Sequence, residues 1–518
     1  MTTASRAKVD RDEVFLEYTK SICPLCKRVV DGELNIRDNR VILRKRCPEH
    51  GPFEALVYSD AELYMSQLRY NKPGTIPLEF QTETRDGCPL DCGMCPDHKQ
   101  HSCLGIIEVN SGCNLDCPIC FADSGHQPDG FALTVEQVGR MLDAFVAAEG
   151  EPEVVQFSGG EPTIHPDIVT FIEMAKARGI KAVMLNTNGI RIARDDAFVA
   201  ELARVKPHIY LQFDGFDERT HRAIRGRDLR ETKQRALDRC AEAGLTVTLV
   251  AAIEKDLNEH EVGDIVRFGV RHPAVMSVAF QPVTHSGRHL AFDPLQRLTN
   301  ADVMKLLAAQ VPEWFGLSDF VPVPCCFPTC RSMCYAIVDG DGLLPLTRLV
   351  DVDQYLDYVS NRMLPDPAVR TALERMFSAS ALPGAERALV LCEDCGIDLP
   401  KVLRDVWAHF FMVVVQDFQD AYTLNVRQLM KCCVAEIVPD GRLIPFCAYN
   451  SVGYREQVRE RLSGVPVAPV APNAIPLAAL VRDTPYGSKT AVRAAVPSAP
   501  GPDGAARDAR NTGHRIAE

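Results

Sequence analysis

The 518-residue sequence has little of what characterises secreted, membrane-spanning or nucleic-acid-binding proteins. The first residues contain no apolar run like that of a secretory signal, so we expect no export. The longest apolar run, 410–415, falls far short of the roughly 18 residues that a membrane span needs. Asp and Glu (69) outnumber Lys and Arg (57), and the net charge of −12 disfavours a nucleic-acid partner, because phosphate binding requires clustered cations. We therefore expect a cytoplasmic protein, with a peripheral membrane contact left open.

Cysteine, in contrast, is abundant, with 20 residues in the chain. Disulfides are disfavoured in the cytoplasm, so grouped cysteines there more often bind metal. Three cysteines lie at 23–47, four at 88–103, three at 113–120 and nine at 325–447. Cys240 stands alone and is expected to be a buried core thiol. The grouping predicts several metal centres.

Strand and helix patterns alternate six times between residues 104 and 284. The clearest helix, 134–148, has one apolar face, a capping box from Thr134 and Gln137, and Gly150 to end it. Repeated βα units predict a parallel sheet with helices outside, and six units are too few for a closed eightfold barrel. We predict an α/β fold, an open partial (β/α)6 barrel, with its chemistry at the C-terminal ends of the strands.

The remaining sequence predicts further units around this barrel. Pro, Ala and Gly dominate the last part of the chain, which predicts disorder there. The expected units are an N-terminal metal ribbon (1–75), an auxiliary-cluster connector (76–105), the barrel core (106–300), a C-terminal Fe–S auxiliary domain (301–460) and a disordered tail (461–518).

The central motif, Cys113-Asn-Leu-Asp-Cys117-Pro-Ile-Cys120-Phe121, follows the first predicted barrel strand directly. Fe–S cubanes usually take four Cys ligands, so a loop with three leaves one iron open. An open iron can chelate the amino and carboxylate groups of a small molecule. A ferredoxin-like or zinc-type loop is the alternative.

The spacing of this motif, its place after the first strand and its trailing aromatic resemble the radical S-adenosylmethionine (SAM) superfamily. The resemblance implies a catalytic 4Fe–4S cluster on Cys113, Cys117 and Cys120 that cleaves SAM to a 5′-deoxyadenosyl radical, which removes hydrogen from a substrate. The cofactor supplies this chemistry, and the protein positions it and excludes water. A ferredoxin- or flavodoxin-type electron donor is implied as partner.

A second motif, Ser158-Gly159-Gly160-Glu161-Pro162, follows the second strand and resembles the family's GGE segment. Glycines let backbone come close to a ligand, and a carboxylate suits the SAM ammonium. The run His221–Arg225 could reach the SAM carboxylate, but a solvated helix face is the favoured interpretation. The resemblance implies cofactor contacts from Phe121, Ser158, Gly159, Gly160, Glu161, Asn186, Asn188, Gln212, Asp214 and Gln281.

Cys23-x-x-Cys26 and Cys47-x-x-His50 form two metal knuckles on either side of a strand-like stretch. Four such ligands predict a closed tetrahedral site for zinc or mononuclear iron. This metal would fold a unit that has little core of its own.

The connector supplies four thiols, Cys88, Cys92, Cys95 and Cys103, which suit a fully ligated auxiliary 4Fe–4S cluster. A second structural zinc is the alternative. A further auxiliary cluster could form in the C-terminal region, although spacing does not select its four ligands. The candidates are Cys325, Cys326, Cys330, Cys432, Cys433 and Cys447.

Five segments resemble one group more narrowly: CPLC…CPEHG, DGCPLDCGMCPDH, SGCNLDCPICFA, PCCFPTC and GRLIPFCAYN. They are similar to the tetraether lipid synthase group, some of whose members are labelled pterin methyltransferases. This resemblance, over about residues 15–455, implies three 4Fe–4S clusters, a rubredoxin-like site and C–C coupling of lipid chains in an apolar tunnel.

Three functions follow from these expectations. The first is radical functionalisation of an unactivated C–H bond, with lipid coupling as the expected case. The second is radical methylation of a pterin or another small heterocycle, and the third is a non-catalytic Fe–S electron carrier. The third leaves the GGE motif and the βα repeats unexplained. A long apolar tunnel would favour a lipid, and a small polar pocket would favour a heterocycle.

Overall fold

The computed structural model describes residues 12–125, 131–323, 326–340, 342–348, 356–357, 362–363 and 410–462. Cys325 and the tail beyond 462 lie outside these ranges, so the predictions made for them stay predictions.

The N-terminal unit is a four-stranded antiparallel sheet followed by a helix. The helix begins where the Asp60 carboxylate accepts a hydrogen bond from the Leu63 backbone N–H. Its inner face packs Tyr64 against Leu34 and Leu43 of the sheet. The elements are β1 (Val14–Ile22), β2 (Val29–Arg37), β3 (Arg40–Cys47), β4 (Gly51–Tyr58) and α1 (Ala61–Leu68).

Six neighbouring parallel strands form the barrel core, as predicted. Every residue of the first two strands is buried, which agrees with the predominance of apolar residues in both. The strands are β5 (Leu104–Glu108), β6 (Val154–Ser158), β7 (Ala182–Thr187), β8 (His208–Gln212), β9 (Val247–Ile253) and β10 (Val275–Pro282).

Helices cover the outside of this sheet, and Phe145, Phe157 and Phe171 share its largest apolar core. The predicted capping box of Thr134 and Gln137 is formed. Within the described ranges, no helix combines the length and apolar character needed to cross a bilayer. The helices are α2 (Val135–Glu149), α3 (Ile168–Ala177), α4 (Ile190–Arg194), α5 (Asp196–Val205), α6 (Glu218–Arg225), α7 (Arg230–Glu242), α8 (Val262–Arg271) and α9 (Asn300–Gln310).

The C-terminal region continues both edges of the core sheet. Strand β16 pairs in parallel with β10, and β17 pairs in parallel with β5. The sheet therefore contains strands from both sides of the domain boundary that was predicted at residue 300. The elements are β11 (Val321–Pro322), β12 (Arg331–Asp339), β13 (Gly342–Pro345), β14 (Leu356–Asp357), β15 (Arg362–Met363), β16 (Phe410–Gln416), α10 (Val426–Leu429), β17 (Val434–Ile437), β18 (Leu443–Pro445), α11 (Phe446–Ser451) and α12 (Tyr454–Gln457).

The segment 417–433 connects β16 to β17 and so links the two edges of the core sheet. It also contacts the N-terminal unit. Ser21 Oγ donates to the Leu424 carbonyl at 2.5 Å, and Lys45 Nζ donates to the Ala421 carbonyl at 2.7 Å. The small N-terminal unit therefore packs against segment 417–433, which connects the two edges of the core sheet.

Candidate active site

The three cysteines of the central motif line one cavity at the C-terminal ends of the core strands. Arg288, which follows β10, fixes their loop. Its backbone exchanges hydrogen bonds with Cys120 at 2.7 and 2.9 Å, and its Nε donates to the Cys117 carbonyl at 2.6 Å. No motif marked Arg288 in the sequence, because its contacts depend on the chain returning from β10.

These residues fit a 4Fe–4S cluster with one open iron. Cys113, Cys117 and Cys120 are the only cysteines among the described residues that line the cavity. Burial raises the pKa of Cys113 and of Cys117, so thiolates here need a cationic partner. A cluster held by the three cysteines would meet that need and would have one iron without a protein ligand. With SAM bound, such a cluster supplies reductive cleavage to a carbon radical.

The GGE segment lies directly against the start of the cysteine loop. The Gly160 N–H donates to the Asn110 carbonyl at 2.8 Å, and the Glu161 N–H donates to the Gly112 carbonyl at 2.9 Å. A Cβ on Gly160 would lie 2.0 Å from the Gly112 oxygen. Gly159 has φ +129°, and a Cβ there would lie 2.3 Å from the Asn110 oxygen. Both glycines are therefore required by close backbone contact.

The Glu161 carboxylate connects the ends of β6 and β7. It accepts from the Thr163 N–H at 3.1 Å, the Thr163 hydroxyl at 2.6 Å, the Thr187 hydroxyl at 2.7 Å and the Asn188 N–H at 2.8 Å. Burial raises the pKa of Glu161, and these hydrogen bonds oppose the shift. The carboxylate thus holds the cavity wall together, and its contact with a SAM ammonium stays a prediction.

A chain of polar side chains crosses the ends of β6, β7 and β8. Asn186 donates to Ser158 Oγ at 3.0 Å, and Gln212 donates to Asn186 Oδ1 at 2.9 Å. Arg225 donates to Gln212 Oε1 at 2.8 Å and forms a two-point ion pair with Asp214 at 2.6 and 2.7 Å. Although burial opposes it, the Arg225 guanidinium lowers the pKa of Asp214. Ser158 and Asp214, predicted as cofactor contacts, lie behind the cavity lining and support it.

The solvated face expected for the run His221–Arg225 is wrong for two of its residues. Arg225 lines the cavity, and His221 is fully buried with Nε2 at 2.9 Å from the Gly215 carbonyl. Only Arg222 shows the expected surface pairing, with Glu218 at 2.6 Å. The charged sequence of this run did not indicate the burial, which arises because one face of α6 is directed towards the buried Asp214.

Asn188 links the cavity wall to the cysteine loop, since its Nδ2 donates to Asn114 Oδ1 at 2.7 Å. Buried Lys233 donates to the Asn188 carbonyl at 2.7 Å, and burial lowers the pKa of Lys233 to about 8. The structure brings most predicted cofactor contacts to one cavity: Phe121, Gly159, Gly160, Glu161, Asn186, Asn188, Gln212 and Gln281.

The C-terminal region and the segment after β10 supply a further part of the cavity lining, which the sequence analysis missed. The cavity encloses about 1090 Å³, including its open mouth. Several buried polar atoms in this part have no hydrogen-bond partner among the described residues. They are both amide atoms of Gln419, Asn450 Oδ1, Thr284 Oγ1 and Ser286 Oγ. Phe418 and Phe446 lie beside them, with ring centroids 4.7 Å apart.

The N-terminal ligand set has tetrahedral spacing. The thiols of Cys26 and Cys47 are 3.8 Å apart, and His50 Nδ1 lies 3.7 and 3.5 Å from the thiols of Cys23 and Cys47. Metal–sulfur and metal–nitrogen bonds of about 2.3 and 2.0–2.1 Å place tetrahedral ligands about 3.6–3.8 Å apart. The four residues therefore fit one metal ion.

The other cysteines form two groups whose role as cluster ligands stays a prediction. In the connector, the Cys88 thiol raises the pKa of the Cys92 thiol, as do burial and the nearby Cys95. Cys103 donates its backbone N–H to the Cys433 carbonyl at 2.9 Å.

In the C-terminal group, the Cys447 thiol lowers the pKa of Cys432, and the Cys432 thiol raises that of Cys447, which also has Cys330 as a neighbour. The Cys326 thiol lies 3.6 Å from the Val323 carbonyl. Cys392 and Cys395 lie outside the described residues.

Comparison with known proteins decides the family. The Radical SAM superfamily description matches residues 107–269, and an HMPTM N-terminal zinc ribbon domain matches residues 15–59. The chain is 32% identical to the 7,8-dihydro-6-hydroxymethylpterin dimethyltransferase of Methanocaldococcus jannaschii, over 86% of this chain and 95% of that protein. The chain belongs to the radical SAM enzymes, in the family of this relative.

Other known proteins match this chain over shorter stretches. GTP 3′,8-cyclase of Actinobacillus succinogenes is 34% identical over 26% of this chain and 40% of that protein. Among solved structures, SuiB of Streptococcus suis has a TM-score of 0.33 at 18% identity, over 40% of this chain and 45% of that chain. Native anSMEcpe with bound AdoMet has a TM-score of 0.33 at 20% identity, over 41% of this chain and 60% of that chain.

Proposed function

We propose that this radical SAM enzyme methylates a carbon of a reduced pterin or a closely related planar heterocycle. The observation that carries the proposal is a set of buried polar atoms that have no hydrogen-bond partner within the described part of the chain. They belong to the cavity lining supplied by the C-terminal region and the segment after β10. The relative from M. jannaschii, named as a pterin dimethyltransferase, supports the same substrate class.

A buried polar group without a partner costs about 1–3 kcal/mol, so this part of the lining favours a ligand that can hydrogen-bond. The Gln419 amide offers one donor group and one acceptor, which is the pattern presented by the ring edge of a pterin. The rings of Phe418 and Phe446 offer flat apolar surfaces to a planar ring system. Few polar groups set in an apolar lining are typical of small-molecule sites.

We favour a heterocycle over the lipid chain that the tetraether group implies. An alkyl chain would remove water from Gln419 and Asn450 and offer no hydrogen bond in return. The hydroxyl groups of Thr284 and Ser286 would lose hydrogen bonds to water in the same way.

The reaction balances with two SAM molecules and two electrons for each methyl group. One SAM and one electron, from a ferredoxin- or flavodoxin-type donor, yield methionine and 5′-deoxyadenosine as one hydrogen atom leaves the substrate. The substrate radical, a methyl-cation donor of the SAM class and a second electron yield the methylated product and S-adenosylhomocysteine. The polar chain from Asn186 to Arg225 holds the cofactor side of the cavity in place for these steps.

The test uses the anaerobically reconstituted full chain with SAM, dithionite and either 7,8-dihydro-6-hydroxymethylpterin or a lipid extract. We expect substrate-dependent 5′-deoxyadenosine and a pterin product in which a methyl group replaces one hydrogen. The variant Gln419→Leu should raise KM for the pterin about tenfold or more, because one lost buried hydrogen-bond pair has that effect. Its cleavage of SAM without substrate should be unchanged.

Gln234→Leu is the matched control, because Gln234 is exposed on α7 and bonds only to Asp238 among the described residues. Turnover of the lipid extract without turnover of the pterin would overturn the proposal. An unaltered KM in Gln419→Leu would contradict the assignment of this part of the cavity to the substrate.

A further inference from the structure

Two buried arginines on the last described helical segment contact the catalytic cysteine loop. Arg455 lies in α12, and Arg459 lies in the helical turn that follows it. Both residues are buried, with 4% and 8% of their surface exposed. Their spacing of four residues places them on one face of the segment. Neither belongs to any motif that the sequence analysis identified.

Each arginine donates to a carbonyl immediately after the last ligand of the loop. Arg455 Nη1 donates to the Phe121 carbonyl at 2.8 Å, and Arg459 Nη2 donates to the Ala122 carbonyl at 3.0 Å. Phe121 and Ala122 follow Cys120 and line the cavity. The Arg455 guanidinium also lies 5.7 Å from the centre of the Phe121 ring. Hydrogen bonds from charged donors are among the stronger ones in proteins.

The same arginines bind the strand end that precedes the loop. Glu108, the last residue of β5, accepts from Arg455 at 2.7 and 3.2 Å and from the Tyr449 hydroxyl at 3.0 Å. Arg459 Nη2 lies 3.7 Å from the second oxygen of this carboxylate. The C-terminal segment therefore joins the entry of the cysteine loop to its exit.

This cluster contains two guanidinium groups and two carboxyl groups. Two guanidinium groups face the single carboxylate of Glu108, whose pKa is lowered by Arg455 and Arg459 against the effect of burial. The second carboxyl group, Glu436 of β17, is buried beside Glu108, and its pKa is raised by burial. Two buried guanidinium groups thus lie next to a loop that would carry three thiolates when a cluster is bound. A nearby positive charge favours the addition of an electron.

We propose that Arg455 and Arg459 are positioning residues for the catalytic cluster, which hold the exit of its loop and raise its reduction potential. The proposal rests on membership of the radical SAM enzymes and not on the identity of the substrate. A C-terminal segment thereby controls the electron-transfer step from outside the cysteine motif.

The test measures the midpoint potential of the cluster whose electron paramagnetic resonance signal changes when SAM is added. We expect Arg455→Gln to lower this potential and to slow substrate-free SAM cleavage about tenfold, equivalent to one lost charge-assisted hydrogen bond. Arg455→Lys keeps the charge but loses the two-point contact, so its potential should lie nearer to that of the wild type. The control is Arg204→Gln, which removes a surface ion pair with Glu173.

Glu108→Gln independently tests the direction in which charge at this position shifts the reduction potential. This variant keeps the contacts to Phe121 and Ala122 and removes the neutralising carboxylate, so the potential should rise. A purely structural role would not shift the two variants in opposite directions. Wild-type potential and cleavage rate in iron-replete Arg455→Gln, or a fall in potential in Glu108→Gln, would overturn the proposal.

Discussion

Replacement of Gly160 by alanine should disrupt the cofactor site through steric contact with the backbone of the cysteine loop. The new Cβ would lie 2.0 Å from the Gly112 oxygen and 2.8 Å from the Ser111 oxygen. Atoms in ordinary contact lie about 3.5 Å apart, so two backbone segments would have to separate by roughly an ångström or more. Neither neighbour is a flexible side chain that could rotate away.

The cost of this separation follows from ordinary magnitudes. Overpacking typically costs 1–3 kcal/mol, and the upper end applies here because only backbone can yield. The hydrogen bond from the Glu161 N–H to the Gly112 carbonyl would also be lost, at about 1 kcal/mol. If the strain and the lost hydrogen bond are expressed as opening of the loop, their combined cost of about 4 kcal/mol weakens SAM binding roughly 1000-fold.

Gly112→Ala is the matched control, because a Cβ there meets only Ile164 Cδ1 at 3.7 Å, an ordinary contact. The assay is iron content after anaerobic reconstitution, followed by SAM affinity. We expect normal iron and SAM binding in Gly112→Ala and a loss of both in Gly160→Ala. Equal, wild-type behaviour of the two variants would refute the close contact between the GGE segment and the cysteine loop.

Three further predictions test other parts of the structure. Glu161→Gln should weaken SAM binding about tenfold, because an amide nitrogen leaves at least one of four buried donors without an acceptor; unchanged calorimetric affinity would contradict this. Cys47→Ser should lower metal content and raise KM for the pterin without slowing substrate-free SAM cleavage, because the ribbon supports the segment that carries Gln419; an unchanged KM in metal-depleted protein would be the contrary result. Burial raises the pKa of Glu254 to about 7, above its unfolded value, so the wild type should lose stability as pH rises through 7. Glu254→Gln should show a flatter dependence of unfolding free energy on pH from 4.5 to 7, and identical profiles would count against the burial.

The sequence predicted the parts of the site that lie close together along the chain. The three cysteines, the GGE segment and the polar residues after the strands each follow a strand directly, so the βα repeat places them at one edge of the sheet. The capping box of Thr134 and the tetrahedral set of the ribbon are likewise local patterns, and both are formed.

The parts that could not be predicted depend on distant returns of the chain. Gln419 lines the cavity, and Arg288 and Arg455 contact the cysteine loop, from beyond β10. Nothing in their immediate sequence indicates a functional contact. Arg225 illustrates a different failure. Its charged neighbours predict a solvent-exposed helix face, whereas its ion pair with the buried Asp214 holds the side chain towards the interior. The parallel pairing of β16 and β17 with the core also had no signal, because strand pairing between distant segments leaves no local pattern.

The central claim, a cluster on Cys113, Cys117 and Cys120 that cleaves SAM, is tested most directly by 5′-deoxyadenosine formation. Anaerobically reconstituted wild type and Cys117→Ala would be compared with SAM and dithionite, after measurement of iron and sulfide per chain. We predict 5′-deoxyadenosine from the wild type and none above background from Cys117→Ala, with about four fewer irons per chain in the variant. Full SAM cleavage by Cys117→Ala, or none by an iron-replete wild type that binds SAM, would contradict the account.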